Sequence, residues 1–427
     1  MTQRVLVVAH NHPDLHPGGT EIFAHDLFSE YRRRPDVEAL FLAATNRVHR
    51  EQRPGTNFQS VSDAPDEVVL WAGHFDTFNL SQIDTYGVMP GLAALLEDFR
   101  PDVVHIHHML LIGAEFIPLV RRILPRARIV VTLHDYYAIC AHDGLMMRTD
   151  GKGRCDRATP SRCHGCFPDI GADRFLLREH FIKTMFSHVD AFIAPSRFLK
   201  DRFVAWGLPA EAISVMANGR PPVEPAPHRA APDGQRTVFG YFGNFNPWKG
   251  VDILLQAATQ LAAEPLPGFE LRLHGAAPFQ KESFVSRLDD LVGGAGASVV
   301  PLGPYGRGDV SSLMAAVDWV VVPSIWWENA PLVIQEAFIH HRPVIARGIG
   351  GMAESVRHGV DGLLVSSDGP GELARTMSHA ARTPGLWQTL VDGIAAPDDI
   401  RLVAERHLAF YGGLSRASDD HPRRRAA

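Results

Sequence analysis

Two carboxylates eight positions apart, Glu328 and Glu336, flank the Asn329-Ala330-Pro331-Leu332 turn that follows an apolar run from Val317 to Pro323. A proline at that place predicts a helix start, where free backbone NH groups and the positive dipole end favour anions. The amides of Asn329, Ala330, Pro331's neighbours and Leu332 would then face a ligand beside Glu328. Glu336 falls within the helix, on a face shared with Leu332 and Val333 by helical spacing, where a carboxylate needs hydroxyl or NH partners. The bland alternative is an amphipathic helix with one Glu at the edge of its apolar stripe.

Three other places carry groups suited to the same chemistry. Gly240-Tyr241-Phe242-Gly243-Asn244 runs through to Trp248-Lys249-Gly250 after a strand-like segment, so Lys249 stands at a loop mouth as a point charge for phosphate. Near the start, Gly18 and Gly19 precede a helical segment and would let a ligand approach the backbone closely; a plain strand-to-helix turn reads the same way. His134 ends the buried run Val131-Thr132-Leu133, where an open α/β sheet presents side chains to its crevice, although any one of 22 histidines is more often structural. Asp135 would point the opposite way were the strand to continue.

All four cysteines, Cys140, Cys155, Cys163 and Cys166, lie within 27 positions, and the last two form Cys-His-Gly-Cys. That spacing suits tetrahedral zinc, while irregular gaps leave paired or redox thiols and free thiols open.

These residues need a scaffold, and the chain alternates short β-branched runs with longer amphipathic segments, which predicts parallel sheets covered by helices. Strands are expected at 4–9, 39–43, 103–107, 129–133 and 191–194, and again at 237–242, 270–274, 299–302, 319–322, 344–346 and 362–365. Between the two sets, Arg220-Pro221-Pro222-Val223-Glu224-Pro225-Ala226-Pro227 reads as a stiff linker. The expected organisation is an N-terminal unit over 1–222 with a cysteine-rich insertion at 138–168, a second unit over 228–396, a closing helix within 397–414 and a polar tail from 415 to 427. A length of 427 residues with 45% hydrophobic and 21% charged content supports more than one core. The formal net charge of −6 gives no global argument for nucleic acid. No run approaches a membrane span, and the N-terminus reads as a buried strand rather than a leader. The expectation is a cytoplasmic protein, with peripheral contact at the inner face of the membrane left open. Arg32-Arg33-Arg34 with Arg47, Arg50 and Arg53 offers a basic patch for such contact, against which stands a solvated helix end.

From Pro323 to Val365, the paired glutamates, the Arg342-Pro343-Val344 strand and the Gly350-Gly351-Met352-Ala353-Glu354 turn resemble the C-terminal signature of retaining glycosyltransferases of family four. The resemblance implies a GT-B fold, α/β with two Rossmann-like domains whose parallel sheets face each other across a cleft, and a last helix that crosses back to the first domain. It implies transfer of a sugar from a nucleoside diphosphate sugar to a hydroxyl with retention, the leaving phosphate taking the acceptor proton and no catalytic metal taking part. Carried over by position, Lys249 meets the diphosphate with the amides of 329–332, Glu336 holds the donor ribose, Glu328 faces the sugar and His134 orients it. Gly18 and Gly19 match the loop between donor phosphate and acceptor. Asn244 stands where the family usually has Arg, one positive charge fewer. A subset of the family carries the four-cysteine insertion after the His-Asp-Tyr strand end, where a structural zinc would fold a loop on the acceptor side. The implied acceptor is a glycan, glycolipid or lipid-linked sugar, in polysaccharide, glycolipid or other glycoconjugate synthesis. A non-catalytic sugar-nucleotide binder and a GT-B epimerase or phosphorylase are the alternatives.

Overall fold

The computed structural model describes residues 2–61, 63–231, 234–263, 266 and 268–414. The chain divides into two compact units, 1–221 with 398–427, and 222–397. The polar tail expected from Ser415 lies outside the described residues.

The first unit is built on β1 (Gln3–Ala9), β2 (Val37–Thr45), β3 (Phe58–Gln59), β4 (Glu67–Trp71), a two-stranded ribbon of β5 (Phe75–Asp76) and β6 (Ser81–Gln82), then β7 (Val103–Ile106), β8 (Arg128–Thr132), β9 (Ala191–Ala194) and β10 (Ile213–Val215). Its main sheet runs β10-β9-β8-β7-β1-β2-β4-β3, parallel except where β3 pairs antiparallel with β4. β1 is at the centre because Val5 to Ala9 is fully buried, the continuous apolar run of a strand covered on both faces. The strand order reverses between β1 and β7, so a crevice opens beyond their C-terminal ends.

The closing helix Ile400–Gly413 packs on helix Gly19–Arg32 in this unit, with Ile400, Val403, Ala404 and Tyr411 joining Phe23, Phe28 and Tyr31 in one core. Its fixing contact is polar. The Tyr411 hydroxyl lies 2.9 Å from the Tyr31 hydroxyl and 2.7 Å from His105 Nδ1, all fully buried. Tyr411→Phe keeps the ring and strands two buried polar groups, so it should cost about 1–3 kcal/mol of stability, read as a lowered urea midpoint with an unchanged slope.

The second unit comprises β11 (Val238–Phe242), β12 (Glu270–His274), β13 (Val299–Gly303), β14 (Trp319–Val322), β15 (Val344–Arg347) and β16 (Gly362–Val365). They form one parallel sheet in the order β13-β12-β11-β14-β15-β16, with its switch point between β11 and β14. Asp318, wholly buried before β14, is neutralised by Arg229 at 2.7 Å and Arg236 at 3.2 Å and accepts from the Val238 amide. Such a carboxylate is tolerated only with partners of this kind.

The proline-rich stretch is not a free linker. Arg220 is tied into the first unit, its backbone pairing with Asp398 and Ile400 at 3.0 and 2.9 Å. Ala226 and Pro227 are held in the second by the fully buried Arg342 guanidinium, and the Ala226 amide donates to His340 Nδ1 at 2.9 Å. Composition alone reports proline stiffness and is blind to an arginine 116 positions away. Among the described residues no helix is long and apolar enough to cross a membrane.

Candidate active site

In the second unit the switch point brings the loops after β11, β14 and β15 together. Asn246 caps a single helical turn at Pro247–Lys249, its Oδ1 accepting from the Trp248 and Lys249 amides at 3.0 Å. Gly250 then takes φ +69°, and a Cβ there would overlap the carbonyl oxygen of Pro323, so only glycine lets the β11 loop lie against the β14 loop. The Ile325 amide donates to the Trp248 carbonyl at 2.8 Å. On the other side Gly351 donates to the Glu328 carbonyl at 2.7 Å, and a Cβ at Gly351 would overlap the Asn329 carbonyl. Three loops are thus joined backbone to backbone.

Lys249 and Glu328 meet on that rim. Lys249 Nζ lies 2.6 Å from Glu328 Oε1, which also accepts from Ser324 Oγ at 2.8 Å and Trp326 Nε1 at 2.9 Å. The carboxylate is 5% exposed, while the lysine head is a third exposed and 5.6 Å from the Trp326 ring centre. A cation bound at one end and open at the other can exchange a carboxylate for an incoming anion. Asn329 is buried beside Glu328, Ala330 is half-buried, and Asn244 is exposed in the β11 loop. Pro331 is the residue before the helix rather than its first turn, and the helix runs Leu332–Ile339. Its buried stripe is Ile334, Ala337 and Phe338. Leu332, Val333 and Glu336 are half-buried together beside it, with Val333 packed against the core, so Glu336 shares its face with these two apolar residues at the edge of the stripe. The Glu336 charge helps raise the Tyr305 hydroxyl, after burial, above its ordinary range.

In the first unit Gly18 is the cap residue of helix Gly19–Arg32, and a Cβ on it would overlap the Glu21 carboxylate. Glu21 is 2% exposed and lies 2.9 Å from His10 Nε2. Burial works against the charge on His10, and the Glu21 carboxylate outweighs it and raises the imidazole above its usual value. His134 lies two residues beyond β8, and its Nε2 is 2.9 Å from His107 Nδ1. Burial, countered in part by Asp135, pushes His134 down to about 3, so it is a neutral imidazole near neutral pH. Asp135 meets His108 Nε2 at 2.7 Å and accepts from the Tyr137 amide at 2.8 Å. Burial would raise this carboxyl, but the His108 charge and hydrogen bond hold it down at about 2. Because the strand ends at Thr132, Asp135 is not turned away from the histidines as a continuing strand would require.

The four cysteines are free thiols, each half-buried. Among the described residues they are not among the groups of three or more ligands within metal-binding distance of one another. Burial raises Cys140, Cys155 and Cys163, the last to about 11, with neighbouring cysteines adding to each shift. The ligand distances lend the structural-zinc reading no support. The segment is instead tied down by Arg178, 3% exposed on helix Ala172–Phe186, which donates to the carbonyls of Phe78, Tyr137 and Ala138. Sequence reasoning missed Arg178, Glu21, His10, His107 and His108. The His10-Asn11-His12 and His105-Ile106-His107-His108 runs were the available signal, whereas nothing near Arg178 marks it as buried.

Residues 18–219 match the model of the glycosyl transferase 4-like domain, and residues 236–382 match that of glycosyl transferases group 1. Each of the two units thus matches a glycosyltransferase domain model. A D-inositol 3-phosphate glycosyltransferase of Mycobacterium sp. (strain KMS) is 34% identical over 199 residues, 44% of this chain and 43% of the relative. That of Mycobacterium bovis (strain BCG / Pasteur 1173P2) is 34% identical over 149 residues, 34% of this chain and 29% of the relative. The matched stretches thus span less than half the length of these curated relatives. Among solved structures, Anabaena HepE in complex with UDP-glucose matches 96% of this chain and 100% of its own, with a TM-score of 0.66 at 20% identity. Sucrose-phosphate synthase of Thermosynechococcus elongatus matches 96% and 98%, with a TM-score of 0.70 at 17% identity. The fold is GT-B, as expected from the sequence.

Proposed function

We propose that the protein transfers a sugar from a nucleoside diphosphate sugar, of the UDP-sugar class, to a hydroxyl acceptor with retention at the anomeric carbon. The observation that carries this reading is the Lys249–Glu328 pair on a backbone-bonded rim at the switch point of the second unit. Lys249 Nζ would leave Glu328 for the diphosphate, and the amides leading into helix Leu332–Ile339 would meet the same charge as preorganised donors. Glu336, half-buried on that helix, would accept from the ribose hydroxyls, with Gly18 and Gly19 lining the approach to the acceptor.

As the bond from the anomeric carbon to the phosphate oxygen breaks, negative charge grows on the diphosphate and positive charge on the ring. Glu328, freed of its lysine, would offset the ring charge. His134, neutral at working pH, would hydrogen-bond sugar hydroxyls. The acceptor oxygen forms the new bond on the face the phosphate leaves, and its proton passes to the departing phosphate oxygen. Nothing in this reading demands a covalent nucleophile or a metal-dependent step. The acceptor class we favour is a glycan or glycolipid.

A second reading, a sugar-nucleotide binder without transfer, is favoured by Asn244, which leaves the β11 loop with one cation instead of two. Thermal unfolding against a panel of nucleoside diphosphate sugars separates the readings when followed by product detection. The donor should raise the midpoint by mass action and yield a glycoside of unchanged anomeric configuration by NMR. Binding without product across donor and acceptor panels would leave the binder, and inversion would overturn the mechanism.

A further inference from the structure

Outside the residues used above, His12, His25 and Glu67 converge in the first unit from three separate elements: the loop after β1, helix Gly19–Arg32 and the first residue of β4. His12 Nε2 is 2.9 Å and His25 Nε2 is 3.4 Å from one and the same oxygen, Glu67 Oε2. The three ligand atoms all lie within 4.8 Å of one another. His12 is 1% and Glu67 9% exposed, and the Phe41 ring, edge-on to both imidazoles at 5.8 and 5.2 Å, walls the group with carbon.

We propose that His12, His25 and Glu67 bind a divalent transition-metal ion of the zinc class. Zinc bonds of about 2.0–2.1 Å in a tetrahedron set its ligand atoms roughly 3.3 Å apart, close to the two separations seen at Glu67 Oε2. Two imidazoles and one carboxylate are a borderline donor set that suits zinc, cobalt or nickel better than magnesium or calcium.

A second observation points to the same place. Gln59 is 6% exposed, and neither side-chain amide atom has a hydrogen-bond partner. The pairing of Gln59 with Val69 puts it on the face of β4 that also carries Glu67, two residues away. A buried amide in that condition costs free energy unless something is supplied to it, and its oxygen is the chain's candidate for the fourth position. In the metal-free arrangement the Asp14 amide donates to His12 Nδ1 at 3.2 Å, and the exposed Asp14 carboxylate lies 3.7 Å away. An ion on Nε2 would move the imidazole proton to Nδ1, which would then turn from the amide to that carboxylate. Arg32 touches only the other oxygen, Glu67 Oε1, at 3.3 Å, and has Asp66 at 2.9 Å as a second partner. An ion here would pin the loop that leads to Gly18 and Gly19 against β4.

The full chain, stripped with chelator and titrated with Co2+, should bind one ion with visible d–d absorption and no near-ultraviolet thiolate charge transfer, and Zn2+ should displace it. His25→Ala should weaken binding at least about 100-fold, and Glu67→Gln, which keeps the size and a hydrogen-bonding group, should do the same. Absence of binding would overturn the proposal. So would a thiolate charge-transfer spectrum, or an affinity that both variants leave unchanged in the folded protein.

Discussion

Lys249→Ala should lower transfer by about 100- to 1000-fold, the usual scale for removing one preorganised donor from a developing anion. The fold should survive, because the lysine head is only partly buried and Glu328 keeps its bonds from Ser324 and Trp326. Affinity for the best nucleoside diphosphate sugar, measured by calorimetry, should fall as well. Removing the lysine leaves a buried carboxylate unpaired on the rim, so Lys249→Met should not restore binding by packing alone. Lys249→Arg should recover only part, since a planar fork replaces a point charge. Glu336→Ala should raise the donor KM more than it lowers kcat, because ribose contacts are made equally in ground and transition states. Normal donor affinity and normal transfer in both alanine variants would remove the site assignment.

The second large effect is acid sensitivity of the first unit. His105, His107 and His407 are at most 1% exposed and His134 is half-buried, and burial drives all four down, His134 to about 3 and His407 to about 4. Their rings sit together: His105 is 4.1 Å from His107 and 5.6 Å from His407, and His107 is 5.2 Å from His134. A histidine with a folded pKa below its unfolded value takes up a proton when the chain unfolds, so stability is full above the unfolded value and falls as pH drops toward the folded one. Each contributes a loss of about 1.4 kcal/mol per pH unit below roughly 6.5. Two acting independently remove about 5 kcal/mol over two units, comparable with the whole stability of many domains. His10, raised by Glu21, has the opposite sign and offsets part of this, while Asp135 adds a further loss as pH falls toward 2. The urea midpoint should therefore decline steeply from pH 7 to pH 5, with the four imidazoles still untitrated by NMR in the folded protein. A midpoint flat over that range would contradict the account.

Much of the fold was legible because buried parallel strands write themselves as short apolar runs between turns. Eleven such runs, from Val5 to Val365, fall within observed strands to a residue or two at each end. The strands that escaped are at the margin of the first sheet and in the two-residue β5-β6 ribbon. β4, Glu-Val-Val-Leu-Trp, was readable as a run but sits in a segment with few helical signals around it, and β3 and β10 are only two and three residues long. The candidate site was legible where glycine forces a close approach, at Gly250 and Gly351, and where a lone charge sits in a loop, at Lys249. Other details were hidden for a physical reason. The stripe of helix Leu332–Ile339 turned on whether Val333 or Ile334 faces the core, a choice made by β14 and β15 rather than by the helix. Arg178, Arg342 and Asp318 are charged side chains used as internal fasteners, and a sequence shows their charge without their burial. The cysteines are close along the chain, yet among the described residues they do not form a group of three or more ligand atoms within metal-binding distance.

The backbone pairing of Arg220 with Asp398 and Ile400 has one more consequence. Residues 222–397 leave the first unit and return to it at two positions stitched side by side, with Gly219 so close to Ile400 that a Cβ would touch its backbone. In topological terms the second unit is an insert whose two ends share one doorway. An interchangeable cassette with that doorway could be transplanted between related chains without rethreading the host, so the two units are open to recombination as separate inheritances.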